Sequence, residues 1–349
     1  MQTDHDISKH LTEAVRNATA ARTPLAIHGS GSKRFLTSTV KGAPLDITPH
    51  RGITSYEPTE LVITARAGTP LQEIETALAE KNQMLAFEPP HFGPNATLGG
   101  TIACNLSGPR RPYAGSARDF VLGTKIINGK GEILTFGGQV MKNVAGYDVS
   151  RLMAGSFGTL GVILEISLKV LPKPAQEITL TFEMNANEAI GKMNAWAGQP
   201  LPLSAAAHAG DTLYIRLSGT DSGVRAARIK LGGEPLTKGV AFWEELREHQ
   251  RSFFKTETSL WRLSIPPACV PVNLPGKWLL DWGGAQRWLL TDTTAKNILH
   301  MAESVGGYAT LFRTSQTIGT RSTDLRGPLR TLQKNIKQSL DPAGILNPT

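Results

Sequence analysis

An α+β protein in two domains is what this sequence predicts, and three observations carry that expectation. Between residues 93 and 170, glycine clusters alternate with β-branched runs, in ATLGGTIACNLSG (96–108), GSARDFVLG (115–123) and GSFGTLGVI (155–163). The paired prolines of LPKPAQE (171–177) end that pattern and read as a domain boundary. Beyond them strand-like and helix-like segments alternate, which suggests a sheet with helices on one face. The 349 residues suit two domains, and 40% hydrophobic content is ample for a buried core.

Taken in order, Ile7, Leu11 and Val15 fall at helical spacing, so a helix opens the chain over 6–21. The apolar run Leu25, Ala26, Ile27 reads as a strand running into Gly29, Ser30, Gly31 and Ser32, the first glycine turn. Strand alternation continues to residue 67. Thr69 then caps a helix with Pro70 in its first turn, and Leu71, Ile74, Leu78 and Met84 mark its covered face. After the boundary, ITLTFEM, LSAAAHA, TLYIRLSG, LWRLSI and YATLF read as strands, with a further pairing around 286–290. Helices fall near 187–196, 223–230, 242–250 and 294–305. The last helix, 329–340, stops at Asp341-Pro342 because proline cannot continue it.

Glycines packed between strands bring backbone, not side chain, close to a partner. Successive N–H groups with no Cβ in the way suit an anion, and a diphosphate is the expected one, with a following helix start adding partial positive charge. Gly155, Gly158 and Gly161 are spaced by threes and lead into a strand rather than a helix, which argues against a dinucleotide fingerprint of the NAD type.

ATLGG with the ACN and SG that follow, the Arg-Asp of GSARDFVLG, KNVAGYD (142–148), GSFGTLGVI and the closing DPAGILNP (341–348) together resemble the FAD-binding half of the vanillyl-alcohol oxidase type flavoproteins, the FAD-linked oxidases. Within that family, EPPHFG (88–93), GPRRPY (108–113), KNVAGYD and the short length are most similar to the FAD-binding subunits of glycolate oxidases. The resemblance implies a two-subdomain FAD-binding domain of the vanillyl-alcohol oxidase (PCMH) type over 1–173. It implies an α+β cap over 174–325, lying over the flavin ring and shaping the substrate pocket, and a segment 326–349 that returns to the FAD domain. FAD contacts are expected from Gly29, Ser30, Gly31 and Ser32 in the first loop, and from Thr97, Leu98, Gly99, Gly100, Thr101, Ala103, Cys104, Asn105 and Gly108 in the second. Arg118, Asp119, Gly161, Val162 and Ile163 complete that set. Some relatives attach flavin through a histidine where Ser32 stands, so FAD is expected to bind non-covalently. Lys142 and Tyr147 approach the flavin by resemblance alone.

His91, Arg110 and Arg111 are the candidates for contacting substrate or a partner. Pro109 and Pro112 stiffen the loop that carries the two arginines, which could pair with a substrate carboxylate, a flavin phosphate or a neighbouring subunit. Asp119 and Asp148 read as turn acceptors besides. His208, Gly210 and Asp211 in HAGDTLY resemble the metal motif of relatives that oxidise 2-hydroxy acids, yet Thr212, Leu213 and Ile215 replace its remaining glycine, asparagine and histidine. A hairpin turn is the expectation there, with no metal. That departure argues against independent substrate oxidation, and no residue stands out as the catalytic base.

The net charge of +8 comes from dispersed basic residues with no long run and no interleaved aromatics, which argues against nucleic acid. The surplus fits an anionic cofactor, an acidic partner or a membrane surface equally well. Cys104 and Cys269 cannot supply the four thiolates of an iron-sulfur cluster, so electrons on a flavin here leave through another molecule. The resemblance accordingly implies a catalytic flavoprotein subunit and an iron-sulfur subunit as partners, with a small 2-hydroxy acid, glycolate, oxidised to glyoxylate. A self-sufficient FAD-dependent 2-hydroxy-acid dehydrogenase and a flavin-free adaptor of the same fold are the alternatives. The opening MQTDHDISKH lacks the apolar core of a signal peptide and no apolar run approaches a membrane span, so the cytoplasm is expected, with the inner face of the cell membrane reached through the complex.

Overall fold

The computed structural model describes residues 5–37, 40–138, 148–314 and 327–348; Lys142 and Tyr147 lie outside the described residues. The chain divides into two units. One comprises Met1–Leu106, Ser116–Pro172 and Thr323–Thr349, and the other comprises Ser107–Gly115 and Lys173–Ser322.

In the first unit the helix Ser8–Ala21 buries Leu11 and Val15, and a parallel pair follows, β1 (Leu25–His28) with β2 (Ala43–Asp46). Strands β3 (Ile53–Glu57) and β4 (Val62–Arg66) begin a five-stranded sheet, and β5 (Gln83–Met84) stands apart from it. The sheet is completed by β6 (Val121–Ile127), β7 (Ile133–Gly137) and β8 (Val162–Lys169) in the order β3-β4-β8-β6-β7, antiparallel throughout, while β9 (Leu171–Pro172) pairs with β5. β8 is the middle strand, and its alternate residues Val162, Leu164, Ile166 and Leu168 are all buried. Hence GSFGTLGVI leads straight into the sheet centre.

Two expectations change here. The helix Leu71–Glu80 buries Leu71, Ile74 and Leu78 but has no side-chain cap; the Thr69 hydroxyl accepts from Gly52 N at 2.9 Å instead, and Met84 belongs to β5. Gly99 and Gly100 do not form a turn between strands: they lie in the helix Leu98–Cys104, capped by Thr97, whose side chain accepts from Gly100 N. A glycine helix is tolerated because a Cβ on Gly99 would stand 2.7 Å from the Ala67 Cβ.

The second unit is one eight-stranded antiparallel sheet. Its strands are β10 (Gln176–Glu183), β11 (Leu203–Ala209), β12 (Thr212–Gly219), β13 (Glu234–Pro235), β14 (Leu260–Ser264), β15 (Lys277–Asp281), β16 (Gln286–Leu290) and β17 (Tyr308–Arg313), in the order β13-β10-β12-β11-β15-β16-β14-β17. β15, absent from the sequence reading, joins the halves through His208↔Leu280 and Ala209↔Leu279. Leu180, Leu213, Ile215 and Leu217 face the helices Ala186–Ala197 and Asp221–Leu231, and Trp261, Leu263, Leu289 and Leu311 pack with the helix Ala295–Ser304. Successive strand residues point to opposite faces. Tyr214 and Thr179 therefore lie on the other side, where Phe242 stacks on Tyr214 at 3.9 Å and Trp243 Nε1 donates to Thr179 Oγ1 at 2.9 Å. The helix Gly239–Arg247 thus covers the second face, so helices flank this sheet on both sides rather than one.

Residues 107–115, expected in the first domain, cluster with this second unit. Trp282 Nε1 donates to Gly108 O at 3.0 Å, and Arg110 pairs with Glu177 of β10. These two contacts hold the loop there.

Candidate functional site

The first unit contains an open cleft of about 840 Å³, assembled from three chain segments. β1 ends at His28 and hands over to Gly29, Ser30, Gly31 and Ser32, all of which line it. Gly31 has φ +78, and among the described residues Ser30, Gly31 and Ser32 donate their main-chain N–H to no other residue. Three donors left open at a turn form the concave surface that suits an anion. Lys33, the next residue, is buried; its Nζ donates to His91 O at 3.2 Å and lies near the Ser32 hydroxyl, 6.0 Å from the Phe92 ring centroid.

The second wall is the helix Leu98–Cys104, which presents Gly99, Gly100, Ala103 and Cys104, preceded by Thr97. Gly29 and Thr97 approach so closely that a Cβ on Gly29 would stand 2.6 Å from Thr97 Oγ1. Burial pushes the Cys104 thiol up to about 11, against the opposing effect of Lys33, so this sulfur stays protonated at neutral pH. Because Thr97 uses Gly100 N, the helix start offers less positive end than the sequence suggested.

The third wall carries Phe157, Gly158, Gly161 and Ile163, and Asn347 locks it to the first. Ile27 N donates to Asn347 Oδ1 at 2.7 Å, while Asn347 Nδ2 donates to Phe157 O at 2.8 Å and to Ile27 O at 3.3 Å. A Cβ on Gly158 would fall 2.7 Å from that Nδ2. Asp341 supports the tail from below, accepting from Ile345 N, Leu346 N and Lys337 Nζ. The cleft is thus a cradle that side chains at several glycines would fill, with a buried cation beside open N–H donors. This donor set fits the diphosphate of a dinucleotide.

Of the residues expected at the cofactor, Leu98, Thr101, Asn105, Gly108, Arg118, Asp119 and Val162 do not line the cleft. Asn105 Oδ1 accepts from Arg118 N at 3.1 Å, and Asp119 closes a capping box with Ser116, so these two segments brace one another. Leu98 and Val162 are buried, and Gly108 belongs to the other unit. Lys33, Arg34, Phe157 and Asn347 line the cleft without having been singled out. GSGSK and GILNP carried the signal, a cation directly after a glycine turn and an amide in the returning tail.

His91 lies outside the cleft, with Nε2 3.1 Å from Glu75 Oε1. The two arginines separate. Arg110 is buried and its Nη2 donates to Glu177 Oε2 at 2.7 Å, where Ser218 Oγ also donates at 2.5 Å and Arg216 approaches to 3.8 Å. Burial would raise the Glu177 carboxyl, but Arg216, Ser218 and Arg110 outweigh it and hold its pKa below the ordinary value. In this structure Arg110 is thus engaged with Glu177. Arg111 instead stacks over Trp282, 4.4 Å from the ring centroid. His208 sits in β11 and its Nε2 is 2.9 Å from Met184 O; Gly210 has φ +63 in the turn to β12.

Residues 8–137 match the family model described as an FAD binding domain. Over 98% of its length, and 97% of the relative's, the chain is 50% identical to glycolate oxidase subunit GlcE of Escherichia coli (strain K12). The chain belongs to that family. Glycolate oxidase subunit GlcD of Bacillus subtilis (strain 168) is 32% identical over 46% of this chain and 34% of that protein. D-lactate dehydrogenase of Anaerostipes hadrus is 36% identical over 40% of this chain and 29% of that protein. In structure, an alkyldihydroxyacetonephosphate synthase superposes with a TM-score of 0.67 at 15% identity, covering 99% of this chain and 74% of the other, a likeness of fold. Family membership of the glycine-rich unit and the donor set of its cleft thus agree on FAD. Among the described residues no helix is long and apolar enough to cross a membrane.

Proposed function

We propose that this chain is the FAD-binding subunit of a glycolate oxidase, an assembly that oxidises glycolate to glyoxylate, and that it holds FAD non-covalently. One observation carries the reading: a row of unused main-chain donors faces a glycine-walled cleft in a chain that shares half its residues with a glycolate oxidase subunit. Bound FAD supplies the acceptor for a hydride. The N–H groups of Ser30, Gly31 and Ser32 hold the diphosphate oxygens, and Lys33 offsets their charge from a buried position. Gly29, Thr97, Gly99, Gly100, Ala103, Cys104, Gly161 and Ile163 form the wall against which the cofactor packs and from which water is excluded. A serine at position 32 has no ring nitrogen to bond a flavin.

Electrons pass onward through partners, since Cys104 and Cys269 are too few to hold a cluster. Those partners are a second, catalytic flavoprotein subunit and an iron-sulfur subunit. The assembly works in the cytoplasm, associated peripherally with the inner face of the membrane.

The absorbance spectrum of the purified chain tests the first step. A flavin spectrum, or uptake of added FAD in proportion to protein, is expected, whereas a colourless preparation that refuses FAD overturns the reading. Co-purification with neighbouring subunits followed by a flavin count per assembly tests the second, and a chain recovered alone under mild conditions would remove the partners.

A further inference from the structure

The segment EPPHFG (88–93) does not line the coenzyme cleft, yet its backbone is unusual. Glu88 and Phe92 have φ of 49 and 51, the left-handed region that bulky side chains avoid, and Pro89 and Pro90 stand between them. Such geometry persists where the surroundings over-determine it. Phe87, just before the segment, is fully buried with its ring centroid 5.4 Å from that of Phe120, and both prolines are buried after it.

Three contacts join this loop to the exit of the first glycine turn. Lys33 Nζ donates to His91 O at 3.2 Å, the same ammonium lies 6.0 Å from the centroid of the Phe92 ring, and Phe35 meets that ring edge-on with centroids 5.5 Å apart. Two of the three fall on one atom, the Lys33 nitrogen. A flexible four-carbon stem has no direction of its own, so a carbonyl and a ring face are what aim this charge. At the cleft wall the Ser32 hydroxyl accepts from the same nitrogen at 3.4 Å.

Behind the loop stands a second pair. His91 Nε2 lies 3.1 Å from Glu75 Oε1, so the residue whose carbonyl holds Lys33 is itself held by its ring. Glu75 is fixed in turn by the helix Leu71–Glu80, whose Ile74 and Leu78 are fully buried. A connected line of contacts therefore runs from that helix through Glu75, His91 and Lys33 to the cleft.

We infer that Glu75 and His91 are positioning residues for the coenzyme. Their side-chain pair sets the His91 peptide, and the peptide carbonyl aims Lys33 Nζ at the diphosphate. This rests on the proposed function for its ligand, the anion that Lys33 faces. It gives the left-handed backbone at Glu88 and Phe92 a task, that of carrying a carbonyl and a ring to one ammonium.

The test is a double-mutant cycle on FAD affinity, measured by flavin fluorescence titration of the flavin-free full-length chain. Glu75→Ala and His91→Ala are each expected to weaken FAD binding by roughly 10-fold, the lower end of the range for one lost charge-assisted hydrogen bond. Glu75→Gln removes the charge but keeps an oxygen for the ring, and should stay within about 2-fold of the parent. Lys33→Met should weaken binding by roughly 10- to 100-fold. On that background Glu75→Ala should cost nothing further, because the charge it aims is gone. Parental affinity in Glu75→Ala and His91→Ala overturns the inference, as does a loss from Glu75→Ala that is undiminished beside Lys33→Met, the outcome of a merely structural role. Should Lys33→Met bind too little FAD to titrate, ionic strength decides: His91→Ala should flatten the fall of FAD affinity with salt, and a parental slope overturns the inference. A parent that takes up no FAD defeats the proposed function, whereas a parent that binds FAD with additive losses defeats only this inference.

Discussion

The two units use opposite materials for their polar sites. In the cleft of the first, the donors are main-chain N–H groups at Ser30, Gly31 and Ser32, and the walls are glycines whose missing Cβ atoms create the room. In the second, the polar cluster is built from side chains far apart in sequence, with Glu177 gripped by Arg110, Arg216 and Ser218. A backbone site announces itself locally, because the constraint is on which residue can occupy each position. A side-chain site depends on who meets whom, and a stretch of sequence cannot say.

The sharpest way to break this comparison is to put a side chain into the backbone site. Gly99→Val places a branched Cβ 2.7 Å from the Ala67 Cβ and 3.0 Å from Ala67 O. FAD affinity should fall by roughly 100-fold, equivalent to an overpacking cost of about 3 kcal/mol, as read by flavin fluorescence titration. Parental affinity in this variant would show that close backbone approach is not what shapes the cleft.

Next in size is the clamp beneath the cleft. The fully buried Asp341 carboxylate accepts from two backbone N–H groups and from Lys337, which itself donates to Thr159 O at 2.7 Å and Leu346 O at 2.8 Å. Asp341→Ala strands these donors and should cost about 3 kcal/mol in urea unfolding, with flavin released in the same transition.

The paired arginines then sharpen the side-chain half. Arg110→Met removes one partner of a half-buried carboxylate and should destabilise by about 2 kcal/mol. Arg111→Met should leave stability within about 0.5 kcal/mol, as for an exposed side chain that makes no hydrogen bond among the described residues. Equal denaturation midpoints for the two variants would erase the distinction between them.

The smallest effect is a pH slope. His249 is stacked at 3.9 Å on Phe254 and surrounded by Trp288 and Phe312, and burial, with Arg313 and Arg262 nearby, holds its pKa well below 6.5. The folded ring stays neutral while the unfolded one takes up a proton below about pH 6.5. Its contribution is therefore complete above that pH and is lost progressively as pH falls below it. His249→Phe should flatten stability between about pH 6.5 and 5, and an undiminished slope in that variant would place the acid sensitivity elsewhere.

Most elements were legible because their patterns are strong and local. Val162–Lys169 is an apolar run opened by Gly161, and the helix Leu71–Glu80 shows its buried positions at helical spacing. KWLLD was not read as a strand, since five residues between Pro275-Gly276 and Trp282-Gly283-Gly284 look like loop until β11 and β16 flank them. Within the cleft, the glycine positions could be read and Lys33 could not, because attention to missing side chains passes over the one that is present. The arginine doublet was ambiguous for a different reason. Glu177 is 67 residues from Arg110, and only the folded sheet decides which guanidinium it takes.

Asn347 ties Ile27 to Phe157, so a wall begun at β1 is finished by a residue 320 positions further on. A ribosome emits these pieces in order, and domains fold as they emerge. The nascent protein must therefore carry an unfinished pocket until residue 347 has emerged, while the second unit is made in between. Coenzyme capture waits for a residue made 320 positions after the strand whose wall it completes.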